Sequence, residues 1–234
     1  MSFTRGMAFR YTGWMLADRH VPRLLGSLAM GAAMMLPIWI ASSRNQIPEA
    51  QAASFQAQLH QTVVFIAALL CANGIIAVDR HQSFFRFYLA KPVSPLWFYG
   101  EHIVLAGVTM VAVSAGYVAV FATTVQPLWT WALLQRALVL WLLIGMPIVL
   151  LSTVSRHDWL WGIVPWLLSA VLRGRWPRGE SLLGDVLHAA LPPYHLMGNE
   201  PVLTASAWLW IGGWALACFA GALAVLARRP LAED

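Results

Sequence analysis

Long apolar runs, separated by short charged stretches, recur from about residue 24 to the C-terminal end of the chain. Hydrophobic residues make up 59% of the 234 residues and charged residues only 11%, whereas soluble domains carry about 25% charged residues. A helix that crosses a bilayer needs about 20 apolar residues, so the chain has room for about six crossings and their connections. The sequence therefore predicts an all-α integral membrane protein, a six-span helical bundle that forms a single transmembrane domain over residues 1–234.

The apolar runs predict where the spans lie. The fifth run is the shortest, because about 14 residues rise only about 21 Å against a hydrocarbon core of about 30 Å. The six predicted spans cover residues 24–42, 62–78, 103–123, 133–154, 159–172 and 205–227.

Two further segments are predicted to lie at the membrane surface. In residues 1–23, arginines alternate with apolar residues at three- and four-residue spacing, which is typical of an interfacial N-terminal helix. Residues 173–203 contain a short apolar run that ends at Pro192 and Pro193. This run is too short to span, so we expect a re-entrant or interfacial element on the extracytoplasmic side.

The basic residues predict the orientation. With the N-terminus in the cytoplasm, ten of the fifteen basic residues fall on the cytoplasmic side, although Arg173, Arg175 and Arg178 fall outside. The net charge of +5 is therefore explained by topology and not by nucleic acid. We expect a multi-pass protein of the cell inner (cytoplasmic) membrane with both termini cytoplasmic and no nucleic-acid partner.

The cytoplasmic segment between the second and third spans, residues 79–102, contains the only lysine of the chain within an aromatic stretch, "FFRFYLAKPVSPLWFYGEH". So many aromatic side chains are expected to bury a face against lipid headgroups or another protein. Pro92 biases Lys91 away from helix, and Pro95 is well suited to open a helix. The pattern predicts a helix, a bend at "KPVSP", and a second helix that enters the third span.

This segment resembles the cytoplasmic segment of the ABC type 2 permeases, the membrane subunits of ATP-driven exporters. Members of that family commonly show "LLxxPVSR…LGK" at this place, and "LAKPVSPLWFYGEH" is similar, with Pro95 and Glu101-His102 as departures. The family's usual Glu-Gly after the second span is replaced by "DRHQS". The six predicted spans, the interfacial N-terminal helix and the broken element before the last span extend the likeness along the chain.

The resemblance implies a permease that forms the translocation path and works with a separate ATP-binding cassette ATPase subunit and a second permease copy, in a homodimer or a related heterodimer. It implies that residues in the loop act as the coupling helix on which the ATPase docks. ATP and Mg²⁺ would bind to the ATPase, so no cofactor is expected in this chain. The expected coupling residues are Phe84, Phe85, Arg86, Phe87, Tyr88, Lys91, Pro92 and Pro95.

Three well-known enzyme motifs are absent from the sequence. No G-x-x-x-x-G-K-[ST], H-E-x-x-H or G-x-S-x-G occurs, so no catalytic residue or metal ligand is predicted. Carboxylates stand beside imidazoles in Asp79/His81, Glu101/His102 and His157/Asp158, a combination that can bind a metal ion or act in acid–base chemistry. These pairs lie at predicted span ends, where polar residues also belong. The alternative to a transport function is a non-transporting membrane scaffold or an accessory subunit of a membrane enzyme complex.

Two polar residues in the predicted spans are candidates for lining a translocation path. Asn73 is the most polar residue within a predicted span, and the resemblance places the second span beside the path. A polar group in lipid should face a bundle interior or a polar cavity. We therefore expect Asn73, together with Ser114 in the third span, to line the path or to bond between helices. The transported substrate does not follow from the residues.

Overall fold

The computed structural model describes residues 13–14, 16–44, 46–73, 75–76, 95–122, 131–155, 157–197 and 203–228. All regular secondary structure in these ranges is helical. Five helical stretches are long and apolar enough to cross a membrane, which confirms the prediction of an all-helical chain with several membrane-spanning helices over the described residues. These stretches are Ala17–Ser43, Ala50–Ala72, Trp97–Val120, Trp131–Ser152 and Ala205–Leu226.

The first three helices supply three of these stretches. A π-helical turn, Leu16–His20, leads into α1, Val21–Ser43, which has Pro22 in its first turn. Helix α2 is Glu49–Ala72 and α3 is Pro95–Tyr117, which a second π turn, Val118–Ala122, continues. Residues 77–94, directly before Pro95, lie outside the described residues, so the helix opening predicted at Pro95 stays a prediction.

The remaining helices follow in chain order. Helix α4 passes through a π turn, Trp141–Gly145, and continues as α5, which has Pro147 in its first turn. Ser181 caps the first turn of α7, because its hydroxyl accepts from the backbone N–H of Gly184 at 3.0 Å. The bounds are Trp131–Leu140 for α4, Met146–Ser152 for α5, Asp158–Arg175 for α6, Leu182–Ala190 for α7 and Ala205–Arg228 for α8, with a 3₁₀ turn at Tyr194–Met197.

The helices belong to two compact units. One comprises residues 1–71 and 97–138, and the other residues 72–96 and 139–234. In the first unit α1 packs closely on α3, because Leu28 covers Gly116, where an added Cβ would stand 3.1 Å from Leu28 Cδ2. In the second unit α5 packs against both α6 and α8.

The second span differs most from the sequence prediction. It was expected to begin at Thr62, whereas α2 begins at Glu49 and ends at Ala72. The stretch before Thr62 is polar, but it is rich in Ala and Gln, which favour helix. Burial of Ala52, Gln56 and His60 on one face then continues the stripe of buried residues that lies further along α2.

The other predicted elements fall partly outside the described residues. The last span, predicted at residues 205–227, agrees with α8. The predicted fifth span corresponds to α6, which is not among the five stretches that are long and apolar enough to cross a membrane. Most of the predicted interfacial helix, residues 1–12, and most of the predicted coupling segment, residues 79–94, lie outside the described residues. Residues 173–203 contain α7 and the 3₁₀ turn.

Candidate functional site: a buried polar cluster in the first unit

A cluster of polar side chains lies inside the first unit, between α2 and α3. Gln56 and His60 stand one turn apart on α2, so both point from the same face of that helix. Ser114 and Tyr117 stand three residues apart on α3 and meet them. Gln56, His60 and Ser114 are each 0% exposed, and Tyr117 is 1% exposed. Polar side chains this deeply enclosed within membrane-spanning helices indicate a specific role in packing or binding.

Ser114 is the centre of the hydrogen bonding. Its hydroxyl oxygen lies 2.8 Å from His60 Nε2 and donates to the carbonyl oxygen of Leu133 at 3.2 Å. A hydroxyl has one hydrogen, so donation to Leu133 means that Ser114 Oγ accepts from His60 Nε2. Ser114 therefore joins α2, α3 and α4 through a single side chain.

Tyr117 holds the other end of the cluster. Its hydroxyl donates to the backbone carbonyl oxygen of Gln56 at 3.1 Å, and its ring meets the His60 ring edge-on at 5.2 Å between centroids. Gly31 of α1 packs beside Val63 and Tyr117, since an added Cβ would stand 3.4 Å from Val63 and 3.5 Å from Tyr117, an ordinary contact distance. The His60 ring is thereby fixed by a hydrogen bond on one side and an aromatic edge on another.

Three hydrogen-bonding atoms of the cluster lack a partner within the part of the chain that the structure describes. Among the described residues, Nε2 and Oε1 of Gln56 and Nδ1 of His60 have no hydrogen-bond partner. Arg136, on α4, is half-buried and lies one turn after Leu133, whose carbonyl oxygen accepts from Ser114. A buried amide with no partner is costly, so these open atoms are an unusual feature of the fold.

The two path-lining candidates have different surroundings. Ser114 is enclosed in the cluster, as an interhelical hydrogen-bonding residue would be. Asn73 lies in the turn directly after α2 and is exposed, so it is not inside the helix as expected. The reason is that α2 ends at Ala72, several residues before the predicted end of the span. Ser114 and Asn73 belong to different compact units.

Gln56 and His60 were not among the predicted site residues, because the sequence prediction places them in the polar loop between the first and second spans. A usable signal is present, because Ala52, Gln56 and His60 repeat every four residues and lead into the buried apolar positions Val63 and Ala67. Of the predicted coupling residues, Pro95 begins α3. Seven of the predicted coupling residues lie outside the described residues, namely Phe84, Phe85, Arg86, Phe87, Tyr88, Lys91 and Pro92.

The Glu101/His102 pair, which sequence analysis considered for acid–base chemistry, lies within α3. His102 is buried, its ring lies 5.1 Å from that of Phe98, and it meets the His20 ring edge-on at 6.3 Å. These aromatic neighbours fit a packed core histidine better than a catalytic acid or base.

A second set of polar contacts lies in the second unit, around Arg173 and Tyr194. Burial lowers the pKa of the Arg173 guanidinium from its usual value, and Tyr194 opposes this effect. Burial, aided by Cys218, raises the pKa of the Tyr194 phenol, and Arg173 opposes that shift. An arginine stays protonated despite such a shift, so Arg173 presents a positive charge to its neighbours.

Comparison with protein-family models, curated proteins and solved structures found no match to this chain.

Proposed function

We propose that this chain is the permease subunit of an ATP-driven ABC exporter, with ATP hydrolysed by a separate subunit. The observation that carries the proposal is the stretch "LAKPVSPLWFYGEH" between the second and third membrane-spanning helices, with its similarity to the coupling segment of ABC type 2 permeases. The described part of α3, from Pro95 onward, is helical, as the second helix of the predicted element requires. The five apolar stretches that are long enough to cross a membrane support a multi-pass protein.

The proposal includes α6 as a sixth span. Its 18 residues rise about 27 Å, which is close to the thickness of the hydrocarbon core. Exposed apolar side chains along α6, among them Leu167, Leu168 and Val171, suit contact with lipid. An even number of crossings puts both termini on the same side of the membrane, and the distribution of basic residues favours the cytoplasmic side.

Coupling would run through residues 79–102. In this scheme Phe85, Phe87 and Tyr88 fill a groove on the ATPase, while Arg86 and Lys91 lie at its solvated rim. Aromatic anchors carry much of the energy of such interfaces, whereas rim charges mainly affect the association rate. A second permease copy completes the translocation path.

Co-purification tests this proposal. An ATPase encoded beside the gene for this chain is expressed with the tagged permease, and its recovery is compared between the wild type and the Phe85→Ala, Phe87→Ala double variant at equal membrane levels. Each truncation should cost about 1 to 3 kcal/mol of association, so recovery and transport should fall together. The matched control is Phe55→Ala, an exposed phenylalanine on α2.

The outcomes separate the exporter from the scaffold. Undiminished recovery and transport in the double variant would show that the aromatic residues only anchor the loop in lipid. Failure of any ATPase to co-purify with the wild type would favour the scaffold or accessory subunit. The Pro92→Ala variant adds a second readout, because a loosened bend should leave the ATPase bound while its hydrolysis no longer drives transport.

A further inference from the structure

Three arginines at the end of α6 and just after it run against the charge distribution of the rest of the chain. In the proposed orientation Arg173, Arg175 and Arg178 lie outside, whereas basic residues favour the cytoplasmic side. Arg173 has a role within the fold, because its guanidinium donates to the backbone carbonyl oxygens of Leu191 and Pro192. Arg175 and Arg178 are exposed, so their charges face the surroundings of the protein.

Arg175 continues an exposed apolar stripe of α6. The side chains of this stripe recur at three- and four-residue spacing and therefore share one face of the helix. They are Val164, Leu167, Leu168 and Val171. Arg175 follows Val171 by four residues, so it lies one turn further on the same face. An arginine at the end of a lipid-facing stripe can keep its stem along apolar chains while its charged group reaches the headgroups.

Helix α7 presents a second exposed apolar surface. Leu182, Leu183 and Val186 are exposed on one side of the helix. The opposite side is closed, because Gly184 is buried against the backbone carbonyl oxygen of Pro177. A short helix with one closed side and one exposed apolar side suits the boundary between headgroups and acyl chains.

The turn between α6 and α7 keeps Arg178 next to this surface. The backbone N–H of Gly179 donates to Asp185 Oδ1 at 2.9 Å, which ties the residue after Arg178 to the first turn of α7. Gly179 has a φ of 81°, a conformation that favours glycine. Asp185 is thus engaged by a backbone donor, and Glu180 is the other acidic residue of this region. Three arginines against two carboxylates leave the region with a net positive charge.

We propose that Arg175 and Arg178 bind the phosphate groups of anionic phospholipids, with the exposed apolar faces of α6 and α7 against the acyl chains. A guanidinium matches phosphate oxygens through paired N–H donors. Its charge favours an anionic lipid over a zwitterionic one. The inference rests on α6 as the sixth span of the proposed permease. It does not involve the ATPase, so co-purification of the ATPase is a separate test.

The test measures which lipid lies beside α6. A single cysteine replaces Val171 in a background with Cys71→Ala and Cys218→Ala, and the full chain carrying a fluorophore there is placed in nanodiscs. The nanodiscs contain equal amounts of phosphatidylglycerol and phosphatidylcholine, and one or the other lipid carries bromine on its acyl chains, which quenches the fluorophore on contact. We expect phosphatidylglycerol to be enriched beside residue 171 by at least about fivefold, the effect of one arginine near an anionic surface.

Variants test the role of the charges. The Arg175→Gln, Arg178→Gln double variant should abolish the enrichment, and it should fold as the wild type does because both residues are exposed. Glu180→Gln removes an opposing charge and should increase the enrichment. The matched control places the fluorophore at Leu209 of α8, which is 78% exposed against 66% for Val171. Leu209 lies in residues 201–227, which contain no charged residue, so we expect no preference there.

Four outcomes would overturn the proposal. Equal quenching by the two lipids beside residue 171 would show that the arginines do not select anionic lipid. A preference that survives in the double variant would assign it to other residues. The same preference beside residue 209 would report a general enrichment around the chain. Quenching by neither lipid would show that α6 does not face lipid at residue 171, and it would also remove α6 as a span while leaving the ATPase test unaffected.

Discussion

Arg173, near the end of α6, donates a hydrogen bond of 2.9 Å to the carbonyl oxygen of Pro192. The same nitrogen lies 3.1 Å from the carbonyl oxygen of Leu191, the residue that caps the C-terminal end of α7. Carbonyl groups at the end of a helix have no partner within that helix, so a charged donor is well placed there. One side chain thus ties the end of α6 to the chain that leaves α7.

Substitution of Arg173 should loosen this connection. Arg173→Gln is expected to lower the free energy of unfolding by about 1 to 3 kcal/mol, because hydrogen bonds from a charged group are lost at partly buried carbonyls. Hydrogen exchange of residues 182–197 should become faster. The control is Arg175→Gln, since Arg175 is exposed in the same last turn of α6. Equal exchange in the two variants would contradict a specific role for Arg173.

Gly184 of α7 lies against the backbone of the turn that follows α6, and this close approach requires glycine. A Cβ at Gly184 would overlap the backbone carbonyl oxygen of Pro177, which cannot rotate away as a side chain can. Gly184→Ala should therefore cost about 1 to 3 kcal/mol, measured by thermal unfolding of the purified chain. Gly174→Ala in α6 meets no atom within 4 Å and should be neutral or stabilising by up to about 1 kcal/mol. Similar destabilisation by both variants would show that the overlap does not matter.

The π turn between α4 and α5 also depends on a glycine. A Cβ at Gly145 would overlap the ring of Trp141, which is buried at the start of that turn. We expect Gly145→Ala to destabilise the protein by about 1 to 3 kcal/mol. Gly145→Ala should cost less in a Trp141→Leu background, which a double-mutant cycle would measure. Gly213→Ala in α8, which meets no atom within 4 Å, is the control, and additive costs for residues 141 and 145 would disprove the contact.

Cysteine labelling tests the proposed orientation. In a background with Cys71 and Cys218 replaced by alanine, single cysteines at Ser2 and Ala232 should react only from the cytoplasmic side. A cysteine at Gln51, which is exposed on α2, should react only from outside. Outside labelling at Ala232 would remove one span from the proposed six.

The segment from Arg173 to Leu203 should enter the outer leaflet without crossing it. Leu182, Leu183 and Val186 expose an apolar surface on α7, which suits contact with lipid. Fluorophores at Leu183 and Leu196 should therefore both be quenched by a quencher confined to the outer leaflet. A site that is reached only from the cytoplasmic side would mean that the segment forms a span.

Much of the helical order could be predicted from local features of the sequence. The apolar run before Arg228 predicts α8 closely, because a long run with few charges favours a membrane-spanning helix whatever it packs against. The helix predicted to follow Pro95 rests on an equally local reason, the fixed backbone angle and missing donor of proline, and residues from Pro95 onward are helical. The start of α2 was not predicted. The residues before Thr62 are polar, as in a loop between spans, and only the structure shows that one face of them is buried.

The sequence by itself determined that this chain is helical and built for lipid. The reason is that the free energy of inserting an apolar run into a bilayer depends mainly on its composition and length. Tertiary structure alone decided that Gln56 and His60 are enclosed and that Ser114 holds the His60 ring. The burial of a polar side chain depends on partners supplied by distant segments, here α3 and the Leu133 carbonyl of α4, and a one-dimensional pattern does not encode which segments meet.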